Sequence, residues 1–224
     1  YINGWINDEL TKQYADNGLI RVAPTENCFR ECGNVKRPIS SMADMTGLKI
    51  RVPETQACQD FYTALGAIPA AIATSETLAA LEQGTVDGVD NSIYNMKSMG
   101  VLEKIKYITM LNYMYSGASI TCSEEFWNSM TANQQAAFKQ AADEAGAFFR
   151  ENMRADEQTI LDQGSFEVEE IDPSSDFYKQ MKEKAVELWA GYASEYPSDI
   201  MDRINQDLSL IHISEPTRLL RISY

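Results

Sequence analysis

Between residues 47 and 91 the apolar positions switch repeatedly between a period of two and a helical period. In GLKIRVPET (47–55), Leu48, Ile50 and Val52 alternate on one face, and Lys49 and Arg51 share the other until Pro53 ends the ladder. That pattern predicts a strand. ETQACQDFYTALG (54–66) then places Ala57, Phe61 and Leu65 four apart and closes at Gly66, which predicts a helix. AIPAAI (67–72) reads as extended. Thr74 or Ser75 can cap a helix over SETLAALEQG, whose Leu78 and Leu81 face inward, and TVDGVDN (85–91) reads as a short strand running into a loop. Strand, helix, strand, helix, strand at these lengths implies right-handed crossovers and a parallel sheet. Ligands of such sheets sit beyond the carboxyl ends of the strands, where Arg51 and Asn91 both fall.

The flanking segments extend this α/β reading. Residues 5–17 predict a helix stopped at Gly18, LIRVAP (19–24) a strand, and the segment near CFREC (28–32) another. A helix is expected near 93–104, and YITMLNYMYSGASITCS holds two extended pieces around Gly117. Thr131 opens a capping box with Gln134, and the helical pattern then persists to Gly164. A helix of that length spans roughly 50 Å at 1.5 Å per residue, enough to lie along two lobes at once. FEVEEI (166–171) predicts a last strand, and residues 174–195 an amphipathic helix carrying Phe177, Met181, Leu188 and Tyr192.

Composition narrows the function classes. The 224 residues are 44% hydrophobic, enough for the core of one or two domains. A net charge of −14 leaves no basic surface to track a phosphate backbone, so nucleic acid is not an expected partner. No run of 18 apolar residues exists, and no membrane insertion is expected. LSLIHISEPTR (208–218) resembles one reading frame of a transposon-type sequencing adapter, so residues 208–224 are set aside as a non-native tail. Without Arg218, Arg221 and Glu215 the net charge is −15, and without His212 no histidine remains. Ser-His-Asp and Cys-His catalysis need an imidazole, and zinc sites usually use one, so the expectation is a non-enzyme with no metal and no cofactor. Cys28, Cys32, Cys58 and Cys122 fit no zinc or thioredoxin spacing. Buried free thiols are one reading; a disulfide, suited to an oxidising compartment, is the other.

Arg51 carries the candidate chemistry, since burying an unpaired guanidinium costs several kcal/mol, roughly, and chains seldom do so without a partner. Its planar fork suits a carboxylate, which it can hold through two charge-assisted hydrogen bonds. Arg30 in CFREC and Asn91 after DGVD could assist. The competing reading pairs Arg51 internally with Asp87 or Asp90. No phosphate-binding glycine loop and no nucleophile elbow occur.

PISSMADMTGLKIRVPET followed by LGAIPAAIATSETLAALEQGTVDGVDN resembles the solute-binding proteins of tripartite ATP-independent periplasmic (TRAP) transporters, the DctP family. The similarity continues through YITMLNYMYSGASITCSEEFW and the long helix to near residue 207. It implies a two-lobe α/β fold joined by hinge strands and a long helix, with a small carboxylate-bearing organic anion bound in the cleft and passed to membrane subunits of the transporter. By this resemblance Arg51 is the main carboxylate clamp, Arg30 a second arginine near the ligand, and Asn91 the ligand-contacting amide after VDG. Thr74 stands where the family commonly has a ligand-stacking Phe, and Tyr113 where it frequently has His. The implied organisation is a partial first lobe with hinge strands and long helix (1–29 and 116–163), a clamping second lobe (30–115), and a C-terminal strand and helices (164–207). A periplasmic monomer is expected, with the export signal and much of the first lobe lying upstream of residue 1. An α/β enzyme acting on an organic acid is the alternative.

Overall fold

Glycine and Asx punctuation converts the predicted periods into short elements, and the computed structural model describes them over residues 4–214. In chain order these are α1 (Trp5–Asp16), β1 (Leu19–Phe29), β2 (Glu31–Asn34), α2 (Met42–Met45), β3 (Lys49–Val52), α3 (Gln56–Ala64) and β4 (Ile68–Ala71). A 3-10 turn (Thr74–Glu76) leads to α4 (Thr77–Glu82), β5 (Gly88–Asn91), α5 (Ile93–Ser98), β6 (Tyr107–Met110) and β7 (Tyr115–Ser123). There follow α6 (Glu124–Ser129), α7 (Ala132–Gln163), β8 (Glu167–Glu170), α8 (Asp176–Tyr192) and α9 (Ser198–Ser214). Of the tail set aside in the sequence, residues 208–214 continue the backbone of α9, and 215–224 lie outside the described residues.

A six-stranded sheet in the order β4-β3-β5-β2-β6-β8 forms the main body. The pairs β3–β4, β3–β5 and β6–β8 are parallel, as the crossovers require, whereas β2 runs antiparallel to both neighbours. This reversal has a positional effect. The start of β2 lies beside the ends of β5 and β6, so Glu31 pairs with Asn91. Arg30, just before β2, therefore meets the carboxyl ends of β3 and β5 along one edge.

Each face of the sheet is covered. Leu48, Ile50 and Val52 pack with Phe61, Tyr62 and Leu65 of α3 and with Phe177 and Met181 of α8. On the other face Val89 and Ile108 pack with Leu81, Ile93 and Met96, and Ile160 from the end of α7 joins them. Alternation along β3 puts Arg51 on this second face, beside Val89 and Ala70 of the neighbouring strands.

β1 and β7 form a separate antiparallel ribbon, and α7 crosses it before reaching the sheet. The helix begins with the predicted capping box, Thr131 with Gln134, and runs 32 residues. Its contact with the ribbon is close at Gly146, where an added Cβ would stand 2.8 Å from the Pro24 carbonyl oxygen. One turn on, Arg150 donates to that same oxygen at 3.0 Å, and Arg154 holds the buried Glu26 carboxylate at 2.5 and 2.8 Å.

Three details differ from the sequence reading. β1 continues past Pro24 to Phe29, because it pairs with β7 through two register shifts that absorb the irregular positions. The break between the two extended pieces falls at Asn112, with φ 47°, and Gly117 sits inside β7. The helix expected to reach residue 104 ends at Ser98, closed by Gly100 at φ 72°.

A buried arginine facing a polar cavity

All four sequence-predicted residues, Arg51, Arg30, Asn91 and Thr74, line one cavity of about 330 Å³ at the strand-end edge of the sheet. Asn27, Asn95, Ser98, Met99 and Pro53 complete its wall. The sequence signal for these last five was weak. Asn27 reaches the cavity because β1 is broken at Cys28, which adopts a left-handed φ of 54° inside the second register shift. Burial and the nearby Glu157 carboxylate of α7 push the Cys28 thiol pKa up. Asn95 is placed by α5, whose Ser92 cap fixes its backbone N–H, and its amide bridges Asn27 at 2.7 Å and Asn91 at 3.1 Å.

Arg51 is only 2% exposed, yet no carboxylate lies within salt-bridge distance of it among the described residues. Its Nε donates to the Ile72 carbonyl at 2.8 Å and one Nη to Thr74 Oγ1 at 3.3 Å. Three of its five N–H groups are thus left without an acceptor among the described residues. Burial lowers its pKa, and so does the nearby positive charge of Arg30, partly offset by Asp90. A guanidinium remains charged regardless, so the site stores an unmatched cation.

The internal ion pair considered for Arg51 exists, but on Arg30. Arg30 Nε donates to Asp90 Oδ2 at 3.0 Å, and its Nη2 lies 2.9 Å from both that oxygen and the Asp90 carbonyl. Tyr113 adds its hydroxyl to Asp90 Oδ2 at 3.1 Å while stacking on Phe61 at 3.9 Å. Burial disfavours the Arg30 charge, but Asp90 overrides it and raises the guanidinium above its ordinary range. Asp87, the other candidate, instead bridges Lys36 and the backbone of Lys49. Asn91 donates to Met99 Sδ and accepts from Ser92 and Asn95, so its amide is fixed in the wall.

A second buried acid lies at this edge. Glu31 is 2% exposed and accepts the Asn112 backbone N–H at 2.9 Å. Burial pushes its pKa well above the ordinary range, against the pull of the Asn112 and Leu111 backbone groups. The fold therefore favours its protonated form: the associated stability is complete below the ordinary glutamate range and is lost as pH rises through the elevated value. Glu31→Gln should accordingly be more stable than the parent at neutral pH and similar to it in acid. Thermal denaturation across pH checks this; equal melting temperatures at pH 7 would show that the carboxylate is well solvated.

All four cysteines are free thiols, three of them buried. No described helix is long and apolar enough to cross a membrane.

The site is thus a buried guanidinium at the strand ends of a mixed α/β sheet, with no carboxylate within salt-bridge distance among the described residues and open to a polar cavity. Residues 1–195 match the family model DctP, bacterial extracellular solute-binding protein, family 7, and the chain belongs to that family. It is 28% identical over 166 residues to the C4-dicarboxylate-binding periplasmic protein DctP of Rhodobacter capsulatus, covering 72% of this chain and 50% of that one. A TRAP periplasmic solute binding protein of Ochrobactrum anthropi superimposes with a TM-score of 0.84 at 27% identity, over 99% of this chain and 69% of the other. Another, from Polaromonas sp. JS666 and bound to D-erythronate, gives 0.78 at 30% identity, over 91% and 67%. The chain spans about half the length of the curated relatives it matches.

Proposed function

We propose that this chain is the ligand-clamping part of an extracytoplasmic receptor that binds a small carboxylate-bearing organic anion and delivers it to the membrane subunits of a TRAP-type transporter in the bacterial periplasm. One observation carries the reading: Arg51 is buried, meets no carboxylate among the described residues and lines a cavity with N–H groups unmatched there. Arg51 is the clamp, Arg30 presents the one nitrogen that Asp90 leaves free, and Asn91 and Thr74 shape the wall. In this reading residues 1–29 and 116–163 belong to a first lobe with its hinge ribbon and long helix. Residues 30–115, with β8 and α8 packed on them, form the second. Closure of one lobe over the other would expel water and strengthen the clamp, since Coulomb attraction grows as the local dielectric falls. The alternative, an α/β enzyme acting on an organic acid, finds no support among the relatives, which are named as binding proteins.

A thermal-shift screen of organic acids tests the proposal. An acid present at a hundred times its dissociation constant should add about 2.7 kcal/mol of stability. Uncharged analogues should add none; stabilisation by those analogues alone would defeat the assignment.

A further inference from the structure

The chain crosses between ribbon and sheet twice, from β1 to β2 at 29–31 and from β6 to β7 at 110–115. Beside each crossing stands one of the two non-glycine residues with positive φ among the described residues, Cys28 at 54° and Asn112 at 47°. Left-handed backbone at such residues is strained and persists only where its surroundings hold it. A glutamate is placed at each. Glu31, 2% exposed, accepts the Asn112 N–H at 2.9 Å. Glu157 of α7 lies beside the Cys28 thiol and accepts the Tyr94 N–H of α5 at 3.3 Å. The two crossings are tied to each other through the Arg30 N–H, 3.0 Å from the Met114 carbonyl oxygen. Asn27 and Asn95, each one residue from a contact of Glu157, meet at 2.7 Å in the cavity wall. The joint between ribbon and sheet is therefore also one side of the cavity.

Acid crowds this layer. Glu26 of β1 acts on Glu157, and Glu157 and Glu170 of β8 act on Glu31. Arg154, one turn before Glu157, is committed to Glu26 at 2.5 and 2.8 Å, and the Tyr115 hydroxyl donates to the same carboxylate at 2.6 Å. Burial and the neighbouring acids raise the pKa of both Glu31 and Glu157. The backbone N–H groups of Leu111 and Asn112 pull Glu31 the other way, as do those of Ile93 and Tyr94 and the Cys28 thiol for Glu157. The fold thus favours the protonated form of both. What they contribute is complete below the ordinary glutamate range and is lost as pH rises through the raised values.

We infer that Glu31 and Glu157 form a proton-operated latch on this joint. Protonated, they hold the two left-handed crossings and the Asn27–Asn95 side of the cavity. Ionised, two like charges in one buried layer draw in water and loosen it. The latch stands on the geometry of the joint and is independent of which anion the cavity takes.

Backbone hydrogen exchange of the purified chain, followed by NMR and corrected for intrinsic base catalysis, tests the latch. From about pH 5 to about pH 8 the protection of the Arg30, Tyr94 and Asn112 amides should fall about tenfold relative to the amides of β3. Glu31→Gln combined with Glu157→Gln keeps an acceptor oxygen at both places and removes the titration. Protection in that double variant should therefore stay level across the same range. No relative fall in the parent, or the same fall in the double variant, overturns the inference. A fall shared equally by β3 reports global unfolding and overturns it too. Should the double variant fail to fold, Glu31→Gln alone is read at Asn112, where a fall as large as in the parent overturns the latch and a level response supports it.

Discussion

Arg51→Ala should abolish most ligand binding. On the clamp reading the side chain is one partner of a buried, hydrogen-bonded charge pair, and truncating such a partner costs roughly 2–5 kcal/mol. That corresponds to about 30-fold to several thousand-fold in affinity. Arg51→Lys should fall between the two, because an ammonium cannot occupy the Ile72 carbonyl and Thr74 hydroxyl while still offering two parallel bonds to a carboxylate. The fold should survive both changes. Arg51 has no counter-ion among the described residues to strand, and removing an unpaired buried charge relieves a desolvation cost. Calorimetry with an acid found by the thermal-shift screen, beside a melting curve of each variant, gives both numbers. Unchanged affinity in a folded Arg51→Ala would place the anion elsewhere; lost affinity with a collapsed melting temperature would make Arg51 a structural residue.

Much of this arrangement was legible in the sequence, for reasons that separate local from long-range information. The capping box at Thr131 and the uninterrupted helical period to Gly164 fixed α7 to within a residue at each end, because caps and periodicity are encoded within a few positions. Arg51 stood out because a charged residue on a strand otherwise alternating Leu48, Ile50 and Val52 has a desolvation cost that invites an explanation. Sequence alone could not say which aspartate meets which arginine. Arg30 and Asp90 are 60 positions apart and meet because β2 runs antiparallel between β5 and β6. Direction within a sheet leaves no trace in the alternation of a single strand. Asn27 and Asn95 were hidden for the same reason: their shared place in the wall depends on a left-handed turn at Cys28 and on contact between β1 and α5. β8, which reads as an isolated last strand, extends the sheet beside β6 only once α7 has carried the chain back.

The buried Arg30–Asp90 pair behind the site should control stability. Asp90→Ala would leave the Arg30 guanidinium, 9% exposed at its side chain, without the carboxylate that neutralises it, and would orphan the Tyr113 hydroxyl. Breaking a buried pair in this way costs roughly 3–5 kcal/mol. That is a large share of the roughly 5–15 kcal/mol that holds a domain together, so the melting temperature should fall by about 6–20 °C. The pair itself need not be stabilising, since the attraction within it is spent largely on desolvating both ions. Replacing both partners with apolar residues, Arg30→Met with Asp90→Leu, should therefore recover most of the lost stability. The recovered double variant isolates the electrostatics of the cavity, with Arg51 as its one remaining arginine. On the clamp reading it should still bind a carboxylate through Arg51, more weakly than the parent because the Arg30 nitrogen is gone. A double variant as unstable as Asp90→Ala would mean that the pair fixes the geometry of β2 against β5, and that the edge on which the cavity is built depends on that contact.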